Sequence, residues 1–177
     1  IDFSEGALWV APMAISPGDE FTLFHGRRRL WRTFDGGDFW IESSPFFVNT
    51  VSAIAISAAD PAVIWAGSSS GELMVSEDDG FVWNTDLPRT ELSNNFITDI
   101  HCSREDRATA WISYGTFGTV NLWKTTDMGQ SWTPLWEQMP DVPVNAVETH
   151  PDDENIIFIA TDIGVFASFN GGKDWMP

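Results

Sequence analysis

The stretch that decides the fold is Thr125-Thr126-Asp127-Met128-Gly129-Gln130-Ser131-Trp132, an octapeptide with three further copies in the chain. The shared pattern is Ser or Thr, any residue, Asp, any residue, Gly, two residues of any type, and Trp. One copy departs from it, because Asn170 stands at the Asp position. The defining positions are Thr33, Asp35, Gly37, Trp40, Ser76, Asp78, Gly80, Trp83, Thr125, Asp127, Gly129, Trp132, Ser168, Asn170, Gly172 and Trp175.

The residue types of the octapeptide predict a tight hairpin turn. An Asp carboxylate at the start of a turn accepts hydrogen bonds from the backbone N–H groups that follow. The Ser or Thr hydroxyl adds a local bond, and glycine tolerates a positive φ. We expect the Trp to fold over the hairpin and bury about 200 Å². Asn170 makes most of the same bonds, so all four copies are predicted to be structural.

Two alternating apolar segments precede each octapeptide. Four stretches of equal length align without a gap, at 10–26, 51–67, 97–113 and 144–160. Apolar residues at every second position, bounded by Pro, Gly and Asp turns, predict strand, turn and antiparallel strand. A third strand leads into each octapeptide, and the unit recurs roughly every 45 residues, which is the length of a β-propeller blade.

We therefore predict an all-β fold: one partial β-propeller domain over 1–177, with four antiparallel strands in each of four blades. The blades are placed at about 8–45, 46–90, 91–138 and 139–177. An open arc of four blades exposes more apolar surface than a soluble monomer tolerates. We expect further blades of a longer chain, self-association of two copies into an eight-bladed ring, or closure of the four on themselves.

Composition narrows the class of partner. Asp and Glu number 26 and Lys and Arg number 9, which gives a net charge of -17. That field repels phosphate backbones and anionic lipid, so we expect no nucleic acid partner. No run approaches the roughly 18 apolar residues of a membrane span, so no membrane insertion is expected. The lone Cys102 is expected to be a buried apolar residue. His25 and His150 lack metal-ligand spacing, so neither a metal nor a cofactor is predicted.

The octapeptide resembles the Asp box, also called the bacterial neuraminidase repeat. The chain is similar, over nearly all its length, to secreted proteins of this repeat type, which include sialidase-like and glycosyl hydrolase-like members. The resemblance implies a β-propeller, an extracellular or periplasmic location, and a glycan or protein ligand. It implies no single activity, because xyloglucan-cleaving glucanases, sortilin-type receptors and a photosystem II assembly factor share the repeat.

Sialidase chemistry is disfavoured by departures from that family's site. A sialidase needs three arginines from different blades and a tyrosine nucleophile. Tyr114 is the only tyrosine and is placed in a loop of the third repeat. Four arginines crowd into one hairpin, where a solvated face is expected and Arg27 and Arg29 are candidate ligands for an anion or a partner. Arg32 is expected on an exposed strand edge.

Other polar residues are candidates for a different site. A xyloglucanase-like enzyme would use two carboxylates roughly 6.5–9.5 Å apart, and the turn at Asp162 resembles its catalytic turn. Asp99 and His101 lie on an innermost strand, and Glu148 aligns with His101 in the fourth repeat. They are candidates for ligand or ion contact, although residues reaching water at the channel mouth are the preferred interpretation. Five further aromatics are expected mostly to pack between blades: Trp9, Phe46, Phe47, Phe117 and Trp136.

Two functions follow from the sequence. The preferred one is a non-catalytic binding or scaffold propeller that recognises a glycan or a protein. The alternative is a glycoside hydrolase whose active site is completed by further blades or a second chain. Convergence of Asp99, Glu148 and Asp162 on one cleft would separate the two, because the enzyme needs facing acids.

Overall fold

The fold is all-β, as predicted. The computed structural model describes residues 4–177, and its fourteen strands form four antiparallel sheets. The first sheet holds β1 (Met13–Ser16), β2 (Asp19–Gly26), β3 (Leu30–Thr33) and β4 (Ile41–Glu42). The second holds β5 (Val51–Ile56), β6 (Ile64–Ser68) and β7 (Leu73–Ser76). The third holds β8 (Ile97–Cys102), β9 (Ala110–Tyr114), β10 (Leu122–Thr125) and β11 (Thr133–Pro134). The fourth holds β12 (Val144–His150), β13 (Asp153–Thr161) and β14 (Gly164–Ser168).

The expectation of four strands in every blade is wrong for the second and fourth sheets, which have three. A single bridge stands where the outer strand was expected, Val75 to Asn84 in the second sheet and Ala167 to Met176 in the fourth. The side-chain oxygen of Asn84 accepts the Asp86 N–H at 3.1 Å. This local turn bond competes with ladder pairing, so the chain leaves the second sheet after one pair.

The sheets are blades of a β-propeller arc, with the first strand of each blade on the inside. Strands β1, β5, β8 and β12 are neighbours in that order. Hydroxyl groups join adjacent inner strands: Ser52 donates to the Ile97 carbonyl at 2.6 Å, and Thr98 donates to the Val144 carbonyl at 2.5 Å. Packed contacts in the described chain run between consecutive blades, and none of comparable extent joins the fourth to the first.

Each octapeptide, which we call an Asp box after the motif that it resembles, is held in shape by its own side chains. In the third copy, the Thr125 hydroxyl donates to Asp127 at 2.8 Å and accepts the Gly129 N–H at 2.9 Å. The carboxylate reaches further along the turn than expected and accepts the Ser131 N–H at 2.8 Å. Hydrogen bonds from Ser131 lower the pKa of Asp127, since they favour its ionised form.

The fourth Asp box forms the same turn with an amide in place of the carboxylate. The Asn170 side-chain oxygen accepts the Asp174 N–H at 3.0 Å, while the Ser168 hydroxyl accepts the Gly172 N–H at 2.8 Å. The Asn170 amide also donates to the Asp174 carboxylate at 2.8 Å. Asn170 therefore lacks the negative charge of the Asp residues in the other copies, but its NH2 group is a hydrogen-bond donor, which an ionised Asp is not.

Each later Asp box also touches the blade before it. A Cβ added at Gly129 would lie 3.0 Å from the Trp65 ring of the second blade, and Trp132 packs edge-on to Trp65 with centroids 6.0 Å apart. A Cβ at Gly172 would similarly lie 2.9 Å from Leu135. The glycine is thus required twice, for its left-handed φ and for the close approach of the preceding blade.

Replacing Gly129 by Ala should lower the free energy of unfolding by about 2–4 kcal/mol, because it combines a left-handed backbone with a steric clash against Trp65. Gly118→Ala is the matched control, because Gly118 has a similar φ of 76° and open space around it. It should lose only about 1 kcal/mol. Urea unfolding measures both, and equal losses would show that the contact between blades contributes nothing.

Candidate functional site

A shallow pocket opens where three blades meet on the inside of the arc. Its volume is about 270 Å³. The second blade supplies an apolar wall, the third supplies mixed residues, and the fourth supplies one acid. The lining residues are Ile54, Ala55, Ile56, Ala58, Ile100, His101, Cys102, Arg104 and Glu148. The pocket therefore depends on the packing of the blades as well as on each blade alone.

A cluster of charged and polar groups forms one side of this pocket. Arg104 donates from Nη2 to the Glu148 carboxylate at 2.7 Å. The other Glu148 oxygen lies 3.5 Å from His101 Nδ1. His101 Nε2 is 2.9 Å from the Thr149 hydroxyl. Each of these contacts joins the third blade to the fourth. We call the boundary between these two blades the seam, and the pocket beside it the seam pocket. The cluster therefore orients its side chains across the seam.

The turn that carries Arg104 is itself fixed by the fourth blade. Glu154 accepts the Arg104 backbone N–H at 2.6 Å and the Ser103 hydroxyl at 2.7 Å. The Ser103 hydroxyl in turn accepts the Asp106 N–H at 2.9 Å. Arg104 is thus held at the pocket rim by its main chain, while about two-fifths of its side chain remains exposed (41%).

His101 is mostly buried, so the expectation that it reaches water at the channel mouth is wrong. Glu148 and Thr149 of the next blade cover it, and its ring centroid lies 5.5 Å from that of Trp111. Burial lowers the pKa of His101, because an imidazolium is costly away from water, and Arg104 adds to this effect. Glu148 opposes the shift. His101 is therefore neutral near pH 7.

Asp99 holds the seam together and does not line the pocket. One carboxylate oxygen accepts the Val147 N–H of the fourth blade at 2.9 Å, and the other accepts the Ile100 N–H at 2.9 Å. Burial raises the pKa of Asp99, and the two backbone bonds oppose that rise. Its expected role as a water-facing or ligand-contacting residue is replaced by a contact between blades.

Asp162 lies elsewhere, in the exposed turn between β13 and β14, where it accepts a bond from the Asn145 amide at 2.8 Å. It does not line the seam pocket, and neither does Asp99. No hydrogen bond joins Asp99, Glu148 or Asp162 to one another among residues 4–177. Of the three candidate acids, only Glu148 lines the seam pocket.

The arginine hairpin is a packing feature and lies away from the pocket. Arg27 donates to the Glu5 carbonyl at 2.5 Å. Arg29 pairs with Glu5 at 3.3 Å and with Glu42, and its guanidinium lies 3.5 Å from the Phe46 ring centroid. The expected solvated face is wrong for Arg29, because two carboxylates and an aromatic ring cover its guanidinium.

Arg32 also differs from its expected place on an exposed edge, because it is buried. Its guanidinium donates to the Asp79 carbonyl in the Asp box of the second blade. It lies among three rings, with centroids 4.0 Å away for Phe34, 5.1 Å for Phe24 and 5.4 Å for Phe81. Burial lowers its pKa, and Asp79 opposes this. Arg32 thus joins the first blade to the second.

Two other titratable residues, Tyr114 and Cys102, are buried. The expected loop position of Tyr114 is wrong, because it ends β9 inside the core between blades, where burial raises its pKa well above the usual range. Burial likewise raises the pKa of Cys102 to about 12, which agrees with its predicted role as a buried apolar residue.

In the part of the chain that the structure describes, no cluster of three or more His, Cys, Asp or Glu residues could hold a metal ion. Over the same residues, no helix could cross a membrane.

Sequence reasoning missed Arg104, Thr149 and Glu154. Arg104 was assigned only to a polar turn, and nothing in its neighbouring residues shows that a strand of the next blade would supply its partners. The signal available was register: Glu148 aligns with His101 in the repeat. Residues at one repeat position in consecutive blades lie on adjacent inner strands, so this alignment places the two side chains near each other.

The buried neutral His101 predicts a loss of stability as pH falls. Its folded pKa lies below its unfolded value of about 6.5, so the unfolded chain binds the proton first. The free energy of unfolding should therefore decrease between pH 8 and 5.5, and His101→Gln should reduce this decrease. Asp99, Glu148, Arg104 and Glu154 surround the site and remain in both proteins.

His150→Gln is the control, because His150 is the last residue of β12 and does not line the seam pocket. Urea unfolding at several pH values compares the three proteins. A pH dependence that is equal in the unchanged protein and in His101→Gln would contradict the assignment of a buried neutral imidazole.

The comparisons with known proteins bear on the fold. No protein-family model matches the chain. The photosystem II assembly lipoprotein Ycf48 of Picosynechococcus sp. is 31% identical over 87 residues, which cover 41% of this chain and 26% of that protein. The chain therefore spans about a quarter of the length of this curated relative.

Solved structures show the same architecture. The GH74 xyloglucanase from Xanthomonas campestris matches with a TM-score of 0.71 at 23% identity, covering 93% of this chain and 29% of that one. A structure of YCF48 bound to D1 peptide matches with a TM-score of 0.55 at 12% identity, covering 97% and 86%. The chain has the blade architecture of β-propeller proteins.

Proposed function

We propose that this chain is a non-catalytic β-propeller scaffold whose seam pocket binds an apolar, acid-bearing segment of a protein partner. The observation that carries the proposal is the composition of the pocket. Ile54, Ile56 and Ile100 provide apolar wall, and Arg104 and Glu148 provide a charged rim. Binding sites in proteins combine an apolar lining with a few placed polar groups in this way.

Arg104 is the group that would select the partner. Its guanidinium has five N–H donors, and the bond to Glu148 uses one of them. A carboxylate of the partner would take a charge-assisted bond from this guanidinium, while an adjacent apolar side chain would occupy the wall. The net charge of -17 favours a partner with basic groups elsewhere on its surface.

A peptide fits the pocket better than a glycan does. Sugar rings stack on aromatic side chains, whereas no Trp, Phe or Tyr lines the pocket. Trp9, Phe46 and Phe117 are exposed in other parts of the molecule, contrary to the expectation that most such residues pack between blades. The solved YCF48 complex with D1 peptide supports the choice, since it is a protein of the same fold with a peptide ligand.

The alternative, a glycoside hydrolase, receives less support from the geometry. Such an enzyme needs two acids facing each other across a cleft. Asp99 is bound to backbone N–H groups, and Asp162 is bound to Asn145. The likeness to a xyloglucanase is one of fold. The resemblance to secreted repeat proteins supports an extracellular or periplasmic location, which stays part of this proposal.

Arg104→Ala should weaken peptide binding about 10- to 100-fold, because a hydrogen bond to a charged group contributes about 1.5–3 kcal/mol. Arg107→Ala is the matched control. Its side chain is 44% exposed in the same turn, but it pairs with Asp60 and Glu77 away from the pocket. A peptide array identifies ligands, and calorimetry measures affinity for the best one. Equal losses in both variants, or binding only to a parallel glycan array, would contradict the proposal.

The enzyme alternative has its own test. The unchanged chain should release no product from chromogenic xyloglucan oligosaccharides, because two of the three candidate acids, Asp99 and Asp162, lie outside the seam pocket. Activity that disappears in Asp162→Asn would overturn the non-catalytic assignment. Thr133→Ala, on the exposed outer strand β11, serves as the control for general effects of substitution on such an activity.

A further inference from the structure

Two exposed aromatic rings flank the boundary between the first and second blades on the outer side of the arc. Phe34 belongs to the first Asp box and is 49% exposed, and Phe81 belongs to the second and is 71% exposed. Both blades of this boundary are in place, packed together through the core cluster around Phe24. The two rings therefore stay exposed after the blades on either side of them have packed.

The buried Arg32 holds the two rings beside each other. Its guanidinium lies over the Phe34 ring, 4.0 Å from the centroid, and over the Phe81 ring, 5.4 Å from the centroid. It also donates to the Asp79 carbonyl in the second Asp box. Such a contact is attractive because the face of an aromatic ring carries partial negative charge. Phe34 and Phe81 thus form one aromatic patch over a bound cation, and the exposed part of each ring faces solvent.

The Asp-box turn forms without these aromatic residues. In the third copy, Thr126 stands at the position of Phe34, and Gln130 stands at the position of Phe81. The third copy nevertheless makes the full set of hydrogen bonds within its turn. Aromatic side chains that stay exposed and are not needed for the local fold are typical of interaction surfaces.

Acidic side chains lie in the same two turns as the aromatic patch. The first two Asp boxes contain five acids and no Lys or Arg: Asp35, Asp38, Glu77, Asp78 and Asp79. A hydrogen bond from the Phe39 N–H lowers the pKa of Asp35, and one from the Val82 N–H lowers the pKa of Asp78, so both are ionised at neutral pH. Buried Arg32, and Arg107 paired with Glu77, offset only part of this negative charge.

We propose that the aromatic patch, with the acids of the two turns around it, binds a basic segment of a protein partner. An Arg side chain of that segment would stack on an exposed ring, and the carboxylates would attract its charge. A neutral glycan would stack on the rings without using the acids. A second copy of this chain is repelled by its own charge of -17. The patch is independent of the seam pocket, which lies on the inside of the arc.

A short labelled peptide of alternating Arg and Leu is the probe, and its Gln–Leu counterpart is the matched uncharged peptide. Fluorescence anisotropy should show that the unchanged chain binds the Arg–Leu peptide and binds the Gln–Leu peptide far more weakly. Equal affinity for the two peptides would overturn the proposal, because the acids would then contribute nothing.

The double variant Phe34→Thr with Phe81→Gln introduces the residues of the third copy. It should weaken binding of the Arg–Leu peptide about 5- to 30-fold, since two exposed contacts between a cation and a ring are lost. Phe169→Thr is the matched control, because Phe169 is exposed at the same position of the fourth Asp box, whose turn contains Lys173. Its affinity should not change. An unchanged affinity in the double variant would show attraction by net charge alone and contradict the proposal.

Asp79→Asn tests the acids without altering the rings. The Asp79 side chain is half-exposed, and Asn tolerates its left-handed φ of 63°. This variant should bind the Arg–Leu peptide more weakly and with less dependence on salt. Urea unfolding verifies that every variant folds. If Asp79→Asn folds and binds as the unchanged chain does, the acids have no role and the proposal fails.

The two binding sites are tested separately. Arg104→Ala should bind the Arg–Leu peptide with unchanged affinity, and the double variant should keep its affinity for the peptide of the seam pocket. Loss of Arg–Leu binding in Arg104→Ala would place that peptide at the seam pocket and overturn the aromatic patch. So would a glycan array ligand that the double variant loses while the Arg–Leu peptide does not bind, since the occupant would then be a sugar.

Discussion

The packing of an Asp box against the blade before it is the contact on which the arc depends. The turn has two successive left-handed residues, such as Met128 and Gly129. The Thr125 hydroxyl and the Asp127 carboxylate hold this shape with side-chain bonds to backbone N–H groups. The shape presents a glycine without a side chain to the neighbouring Trp65. One local motif therefore sets the hairpin and the spacing between sheets.

The repeat made much of this fold predictable from sequence. The alternation in Val51-Ser52-Ala53-Ile54 specifies a strand with one fully buried face, and a signal repeated in register is stronger than any single one. The outer strands were less predictable, because local turn hydrogen bonds compete with the hydrogen bonds that pair the outer strand with the sheet. Asn84 bonds its own main chain after one bridge, whereas Thr133 and Pro134 pair as a strand.

The candidate site was only partly predictable. Asp99 and His101 stand out because they replace alanine on an inner strand, yet their partners come from the next blade. Two backbone N–H groups occupy Asp99, and Thr149 with Glu148 covers His101. The residue type alone does not show whether a carboxylate is already hydrogen-bonded to backbone N–H groups or is available to a ligand. The same limit applies to Arg32, whose three aromatic neighbours come from two blades.

Charge and apolar surface contribute differently to the proposed peptide contact. The net charge of -17 attracts basic groups of a partner at long range. At physiological ionic strength the Debye length is about 8 Å, which screens charges spread over the outer surfaces. Burial of apolar surface against Ile54, Ile56 and Ile100 acts at contact distance and is not weakened by simple salt. Added salt should therefore weaken the part of peptide binding that depends on Arg104 and leave the part that depends on the apolar wall.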